Sequence, residues 1–296
     1  MKPKKSLGQN FLKSVPALNK IVEAGEISKD DIILEIGPGK GALTEKLLER
    51  SNCVIAVEKD RELFEFLKEK FEKEISSGQL KLINGDILDF KIEQNVLEGT
   101  LGRSVGDGQR KFSAENFRGE SENILRNLKY KIIANIPYNI TGAILKKFLS
   151  ARNQPEMMVL MVQKEVAERI IAKDPRHDEA NNKESLLSIS VKAYGEPKMI
   201  MKVPARYFSP APKVDSAVIS IKNISHGLFQ KNNLNEREFW DIIHAGFAHK
   251  RKKLASNLKK YLSKTKSSEL ENKRAEELSI SEWIDIVKSL NINSKK

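Results

Sequence analysis

From residue 31 onward, short apolar runs alternate with longer stretches of helical period, and this rhythm constrains the fold more than any other feature of the chain. Apolar runs separated by helices are the mark of βα units, which build a mostly parallel sheet. Strands are expected near 31–37, 53–58, 79–84, 131–136 and 157–162, with helices over 41–49, 60–74, 141–150 and 165–172. Asp60 and Glu62 suit a helical first turn. Residues 198–203 and 214–222 read as a closing antiparallel pair, and the three prolines of Pro204–Pro212 exclude regular structure between them. After about residue 232 the β signals stop, and helices are expected near 235–249, 251–263 and 279–290. The fold class is therefore α/β, with a mostly parallel seven-stranded sheet and a small C-terminal all-α domain. Its divisions fall at 1–30 (a basic arm and helix), 31–232 and 233–296. Residues 91–127 break the rhythm, holding five of the sixteen glycines among mixed charges. Structureless loops of that length are uncommon in a compact domain, so the segment reads as a mobile insertion.

With 296 residues and 40% hydrophobic content, the chain has enough apolar material for a sizeable core. It has no apolar run near the ~20 residues of a membrane span, and no apolar segment follows Met1–Lys5, so a cytoplasmic protein is expected. The single cysteine, Cys53, allows neither an internal disulfide nor a cysteine metal cage, and no metal is expected. Lys and Arg number 52 against 40 acids, a net charge of +12 that favours a polyanionic partner. The cations cluster: Lys2, Lys4, Lys5, Lys13 and Lys20 precede any acid, and His249, Lys250, Arg251, Lys252, Lys253, Lys259, Lys260, Lys264 and Lys266 form a second acid-free stretch. Clustered cations neutralise neighbouring phosphates, which makes nucleic acid the first candidate. Nothing in the sequence suggests more than a monomer.

Three places carry chemistry. The first strand ends in Glu35-Ile36-Gly37-Pro38-Gly39-Lys40-Gly41, where glycines let a ligand approach the backbone. With Ala42 the run satisfies Gly-x-Gly-x-x-Gly/Ala, and Glu58, 21 residues after Gly37, suits a ribose diol. A nicotinamide and a methionine-nucleoside cofactor both fit. Asp86, after the third strand, would face the same crevice and accept from an adenine amine. Asn135-Ile136-Pro137-Tyr138, at the end of the fourth strand, is more discriminating. The Asn135 side-chain oxygen and the Ile136 carbonyl would hold the two hydrogens of an exocyclic amine, a poor nucleophile, and aim its lone pair at a methyl donor. The turn is fixed by Pro137, and Tyr138 would stack on an extruded base.

Taken in order, Lys5-Ser6-Leu7-Gly8-Gln9-Asn10-Phe11-Leu12, Glu35–Gly39, Val57–Asp60, Gly85-Asp86, Asn135–Asn139, Phe208–Val218 and Lys250–Leu258 resemble the motifs of the KsgA/RsmA family of small-subunit rRNA adenine N6,N6-dimethyltransferases. The resemblance spans about residues 4–260, and the Gln-Asn-Phe-Leu and Phe-x-Pro-x-Pro-Lys-Val-Asp-Ser runs are its specific parts. It implies a Rossmann-like class I methyltransferase domain with a helical rRNA-binding domain. It also implies S-adenosylmethionine as donor and, as target, two adjacent adenosines in the 3′-terminal hairpin of 16S rRNA in the 30S subunit. Cofactor contacts would fall on Asn10, Leu12, Gly37, Gly39, Glu58, Asp86 and Asn135. Phe208 would be the second aromatic over the target base. Lys4, Lys5 and the helix start at Lys250, Arg251, Lys252 and Lys253 would touch rRNA phosphate. Asp86 to Asn135 spans 49 residues, about 25 more than the family's spacing, the excess being the Gly-rich insertion. The family's Tyr-Gly-x-Leu-Ser helix start stands here as Glu184-Ser185-Leu186-Leu187-Ser188.

Three rivals remain at this level. A macrolide-resistance-type 23S rRNA methyltransferase shares the Asn-x-Pro-Tyr logic, but the Pro-Lys-Val-Asp-Ser run and the basic stretch favour the small-subunit reading. A non-catalytic 30S assembly factor would not need Asn135, Pro137 and Tyr138. An NAD oxidoreductase leaves that motif and the basic termini unexplained.

Overall fold

The structure, a computed structural model, describes residues 3–4, 7–92, 128–172, 183–262 and 270–291. Apart from its first two residues, the expected 91–127 insertion lies outside the described residues, as does Lys5. The chain divides into two compact units, 1–164 with 199–222, and 165–198 with 223–296.

The first unit is built on a seven-stranded sheet whose strands are β2 (Ile32–Ile36), β3 (Cys53–Glu58), β4 (Leu80–Asn84), β5 (Lys131–Asn135), β6 (Met157–Gln163), β7 (Glu196–Val203) and β9 (Ser216–Lys222). A further pair, β1 (Phe11–Leu12) and β8 (Phe208–Ser209), forms its own antiparallel ladder, with Phe11 opposite Ser209 and Leu12 opposite Phe208. The order in the large sheet is β4-β3-β2-β5-β6-β9-β7. The first five strands run parallel and β9 is antiparallel to β6. Parallel strands are covered on both faces and so must be apolar throughout. Accordingly Ile33, Leu34, Val54, Ala56, Ile132, Ile133, Met158 and Val159 are all buried.

Helices α1 (Val15–Ala24), α2 (Ala42–Leu48), α3 (Arg61–Lys70), α4 (Glu72–Ser76) and α5 (Thr141–Leu149) lie between these strands in the chain. The helix expected over 60–74 is interrupted at Phe71, whose backbone leaves helical values (φ −111°, ψ 29°). Its ring turns inward against Gly41. A Cβ at Gly41 would lie 2.6 Å from that ring, and Gly41 has φ +79°, so the position requires glycine on both counts.

The second unit holds most of α6 (Lys164–Ile170), then α7 (Leu186–Lys192), α8 (Gly227–Asn232), α9 (Glu236–Phe247), α10 (Leu254–Asn257) and α11 (Ile280–Asn291). Its core is aromatic: Tyr194, Phe229, Phe239 and Trp240 pack with ring centroids 5.1–6.5 Å apart. Trp283 is fully buried, and a Cβ at Gly246 would come within 2.3 Å of its ring.

The boundary expected at 232/233 is too simple, because 165–198 sorts with the C-terminal helices. Tyr194 sits in their aromatic cluster and donates to Glu236, while the Glu184 N–H donates to the Glu276 carbonyl at 2.9 Å. The Glu184–Ser188 run that departs from the family pattern still starts a helix, through a capping box between Ser185 and Ser188. The helix expected at 251–263 shortens to α10. Asn257 turns its side-chain amide back onto the Gly246 and His249 carbonyls at 2.6 and 3.2 Å.

Candidate functional site

In open parallel sheets the binding crevice opens at the carboxyl ends of the strands, where the strand order reverses. Here that point lies between β2 and β5. A cavity of about 720 Å³ occupies it, lined by residues 7–13, the Gly37–Lys40 loop, Glu35, Glu58, Asp86 and the Asn135–Ile140 turn. This is the size range of pockets that enclose a nucleoside-sized ligand.

One wall is acidic. The loop after β2 takes left-handed backbone at Gly37 (φ +64°) and Gly39 (φ +61°), which points the Gly39 N–H at the Glu58 carboxylate, 3.0 Å away. The other Glu58 oxygen accepts the Asp60 N–H at 2.8 Å. Both bonds fix the carboxylate while leaving each oxygen a further lone pair. Burial raises the Glu58 pKa in spite of these donors. Asp86 is less buried; the Lys59 ammonium at 2.7 Å, then the Leu88 N–H, hold its pKa below the ordinary carboxylate range.

Glu35 lies deeper, 1% exposed, and its Oε2 has no hydrogen-bond partner. Burial, with the Glu58 charge adding to it, pushes its pKa up to about 8. An orphaned buried carboxyl at a cavity wall is costly unless a cationic ligand answers it. In the sequence Glu35 reads only as the residue that opens the glycine motif. The signal was present, since it is the one acid inside the apolar run Ile32-Ile33-Leu34-Glu35-Ile36.

The opposite wall is the Asn135–Tyr138 turn. The Asn135 Nδ2 donates to the Asn10 carbonyl at 3.3 Å, and no described residue hydrogen-bonds to Oδ1. Pro137 (φ −60°, ψ 130°) leads into a 3-10 turn that starts at Tyr138. The Tyr138 hydroxyl shares a 2.5 Å hydrogen bond with Ser216 on β9, which fixes the ring. The two walls approach closely: a Cβ at Gly37 would lie 3.9 Å from Pro137, and one at Gly8 3.8 Å from it.

The structure thus brings together Asn10, Leu12, Gly37, Gly39, Glu58, Asp86, Asn135, Ile136, Pro137 and Tyr138 around one cavity. It does not bring Phe208 there. That ring is 4% exposed in the hydrophobic core, because β8 pairs it with Leu12, and Ser209 lines the cavity in its place. Lys4 is not a free cation either: its ammonium lies 2.7 Å from Asp60 and 3.1 Å from Glu62. Lys250, Arg251, Lys252 and Lys253 are exposed in the second unit, in the turn preceding α10 rather than on its first turn. Lys253 donates to the Asn272 carbonyl at 2.9 Å, and among the described residues the other three have no ion pair. Among the described residues, too, no helix is long and apolar enough to cross a membrane, and no acid, His and Cys cluster forms a metal site.

Comparison with known proteins agrees with this geometry. Residues 1–292 match the family described as ribosomal RNA adenine dimethylase. A ribosomal RNA small subunit methyltransferase A of Dehalococcoides mccartyi is 37% identical over 292 residues, covering 96% of this chain and 87% of its own. Among solved structures, a dimethyladenosine transferase from Plasmodium falciparum superposes with a TM-score of 0.69 at 24% identity, covering 96% of this chain and 98% of its own. The 23S rRNA methyltransferase ErmE superposes with 0.66 at 21%, covering 95% and 100%. These two structures share the α/β methyltransferase fold and, with nearly equal scores, do not separate the targets. The family match over almost the whole sequence is decisive: the chain belongs to the ribosomal RNA adenine dimethylase family of methyltransferases.

Proposed function

We propose that this rRNA adenine dimethyltransferase uses S-adenosylmethionine to dimethylate N6 of two adjacent adenosines in the 3′-terminal hairpin of 16S rRNA. It would act as a cytoplasmic monomer on the 30S subunit and serve its biogenesis. The observation that carries the reading is the pairing of two unlike walls in one cavity: carboxylates, among them Glu35 with its unpartnered Oε2, facing an amide oxygen to which no described residue hydrogen-bonds.

The residues present fit that donor. When bound, S-adenosylmethionine supplies an electrophilic methyl group on a cationic sulfur, and its other positive charge is an ammonium. Glu35, protonated at neutral pH in the unliganded pocket, would give up its proton to pair with such a cation, Glu58 offers two backbone-fixed oxygens to ribose hydroxyls, and Asp86 accepts from an adenine amine. On the other wall the Asn135 Oδ1 and the Ile136 carbonyl accept the two N6 hydrogens of the target base. These bonds turn the nitrogen lone pair toward the donor side and stabilise the charge that develops on nitrogen. Tyr138, held by Ser216, stacks on the base. Exposed Lys250, Arg251 and Lys252 contact phosphate.

The test is incorporation of labelled methyl into unmethylated 30S particles and, separately, 23S rRNA, followed by mapping of the product. Dimethyladenosine in the 30S 3′ hairpin alone is expected. Label on 23S rRNA would move the protein to the resistance-type reaction, and tight 30S binding without label would make it an assembly factor.

A further inference from the structure

The segment that supplies Gly8, Asn10, Phe11 and Leu12 to the cavity is pinned at both ends. Its far end is held by the short β1–β8 ladder and by the Lys13 N–H, which donates to the Tyr207 carbonyl at 2.8 Å. Its near end is held at one carboxylate. Asp60, whose side chain is 3% exposed, accepts from the Lys4 Nζ on Oδ1 and from the Gln9 Nε2 on Oδ2, both at 2.7 Å. The Gln9 side-chain oxygen accepts the Lys4 backbone N–H at 2.7 Å, so the three residues close a ring of contacts.

The same residue touches the acidic wall. The Asp60 N–H donates to Glu58, and Oδ1 also caps α3 by accepting the Glu62 N–H at 3.0 Å. On the arm side, Gln9 precedes Asn10, whose carbonyl holds the Asn135 amide. A short path of hydrogen bonds and backbone therefore runs from the ribose-binding carboxylate through Asp60 and Gln9 to the amine-binding amide. Burial opposes ionisation of Asp60, yet the Lys4 and Gln9 bonds hold its pKa below the ordinary range.

We propose that Asp60, Lys4 and Gln9 form a positioning latch that holds residues 7–12 against the cofactor pocket and thereby sets cofactor affinity. This rests on the reading that the pocket binds S-adenosylmethionine. A ligand touching the arm binds only the latched state, so any unlatched fraction weakens apparent affinity in proportion. By linkage, bound ligand protects the arm. The latch also gives Lys4 a role unlike the RNA contact that its place in a basic cluster suggests.

Two variants separate the latch from the helix cap. Asp60→Asn keeps an oxygen for the Glu62 N–H and removes the charge that Lys4 pairs with, whereas Lys4→Gln keeps the Asp60 cap of α3 and gives up only the Lys4 contacts to Asp60 and the exposed Glu62. Binding of S-adenosylhomocysteine by calorimetry is expected to weaken by about five- to twentyfold in each, in the range of one charge-assisted contact. The double variant should bind no more than slightly worse than the weaker single, because both remove one contact. Turnover at saturating S-adenosylmethionine and the KM for rRNA should stay within about twofold. Amide exchange in a peptide covering 7–12 should quicken in the variants and slow on adding S-adenosylhomocysteine to the wild type. Unchanged ligand affinity in Lys4→Gln, or a KM for rRNA that rises while ligand affinity does not, would overturn the latch. Wild-type protein that fails to bind S-adenosylhomocysteine would instead overturn the cofactor reading beneath it.

Discussion

The two walls of the cavity solve different problems with different parts of the chain. On the acidic wall the central carboxylate, Glu58 at the end of β3, is fixed by the backbone N–H groups of Gly39, in the loop after β2, and Asp60, the N-cap of α3. The amide wall's acceptor, Asn135, ends β5 where a proline-fixed turn begins, and it is oriented by the carbonyl of Asn10, far away in sequence. A site that must attract a cation gains from buried charge on rigid elements. A site that must aim a weak nucleophile gains from a neutral acceptor whose direction is fixed. Changes on the first wall should therefore appear in cofactor affinity, and changes on the second in turnover.

The largest expected effect lies on the amide wall. Asn135→Ala should lower turnover by about 10²-fold or more, the usual loss for one preorganised hydrogen-bonding group at a reacting centre, as measured by single-turnover methyl transfer. On the acidic wall, Glu58→Ala should weaken cofactor binding by about 10- to 100-fold, equivalent to roughly 1.5–3 kcal/mol for hydrogen bonds to a charged group. Calorimetry reads that directly.

The next prediction concerns pH. Glu35 has a folded-state pKa of about 8, above the ordinary carboxylate value, so the unliganded folded protein binds a proton there that the unfolded chain has lost. Its contribution is present at acid pH and is lost as pH rises from about 4.5 through 8. In urea melts without cofactor, wild type should therefore lose ground against Glu35→Gln across that window, and a constant difference would show that Glu35 does not titrate as the geometry requires. The smallest effect belongs to Asp86→Asn. This carboxylate is partly exposed and already paired with Lys59, and a loss of cofactor affinity below about fivefold is expected.

Much of this was legible in the sequence. The rhythm of apolar runs located the parallel strands to within a residue or two, because doubly covered strands are apolar along their whole length. The Gly37–Gly39 loop and the Asn135–Tyr138 turn were legible because left-handed backbone and a proline-fixed turn leave few residue choices. What escaped depended on partners distant in the chain. The resemblance implies that Phe208 covers the target base, but the residue stands in the β1–β8 ladder and is buried in the core. Lys4 sits in an acid-free stretch, yet folding delivers Asp60 and Glu62 to it. The helix expected to run from 60 to 74 breaks where Phe71 turns inward to cover Gly41, a tertiary contact that no local period announces. Residues 165–198 sort with the C-terminal helices because of where Tyr194 packs, and one aromatic in a sequence does not say which core it joins.

The division between the walls is tested most directly by crossing two variants against two readouts: Asn135→Ala and Glu58→Ala, each measured for S-adenosylhomocysteine affinity and for turnover at saturating S-adenosylmethionine. The account predicts that Asn135→Ala keeps affinity within a few-fold and loses turnover by about two orders of magnitude, while Glu58→Ala loses affinity and recovers most of its turnover at saturation. Intact turnover in Asn135→Ala, with its cofactor affinity reduced, would contradict it.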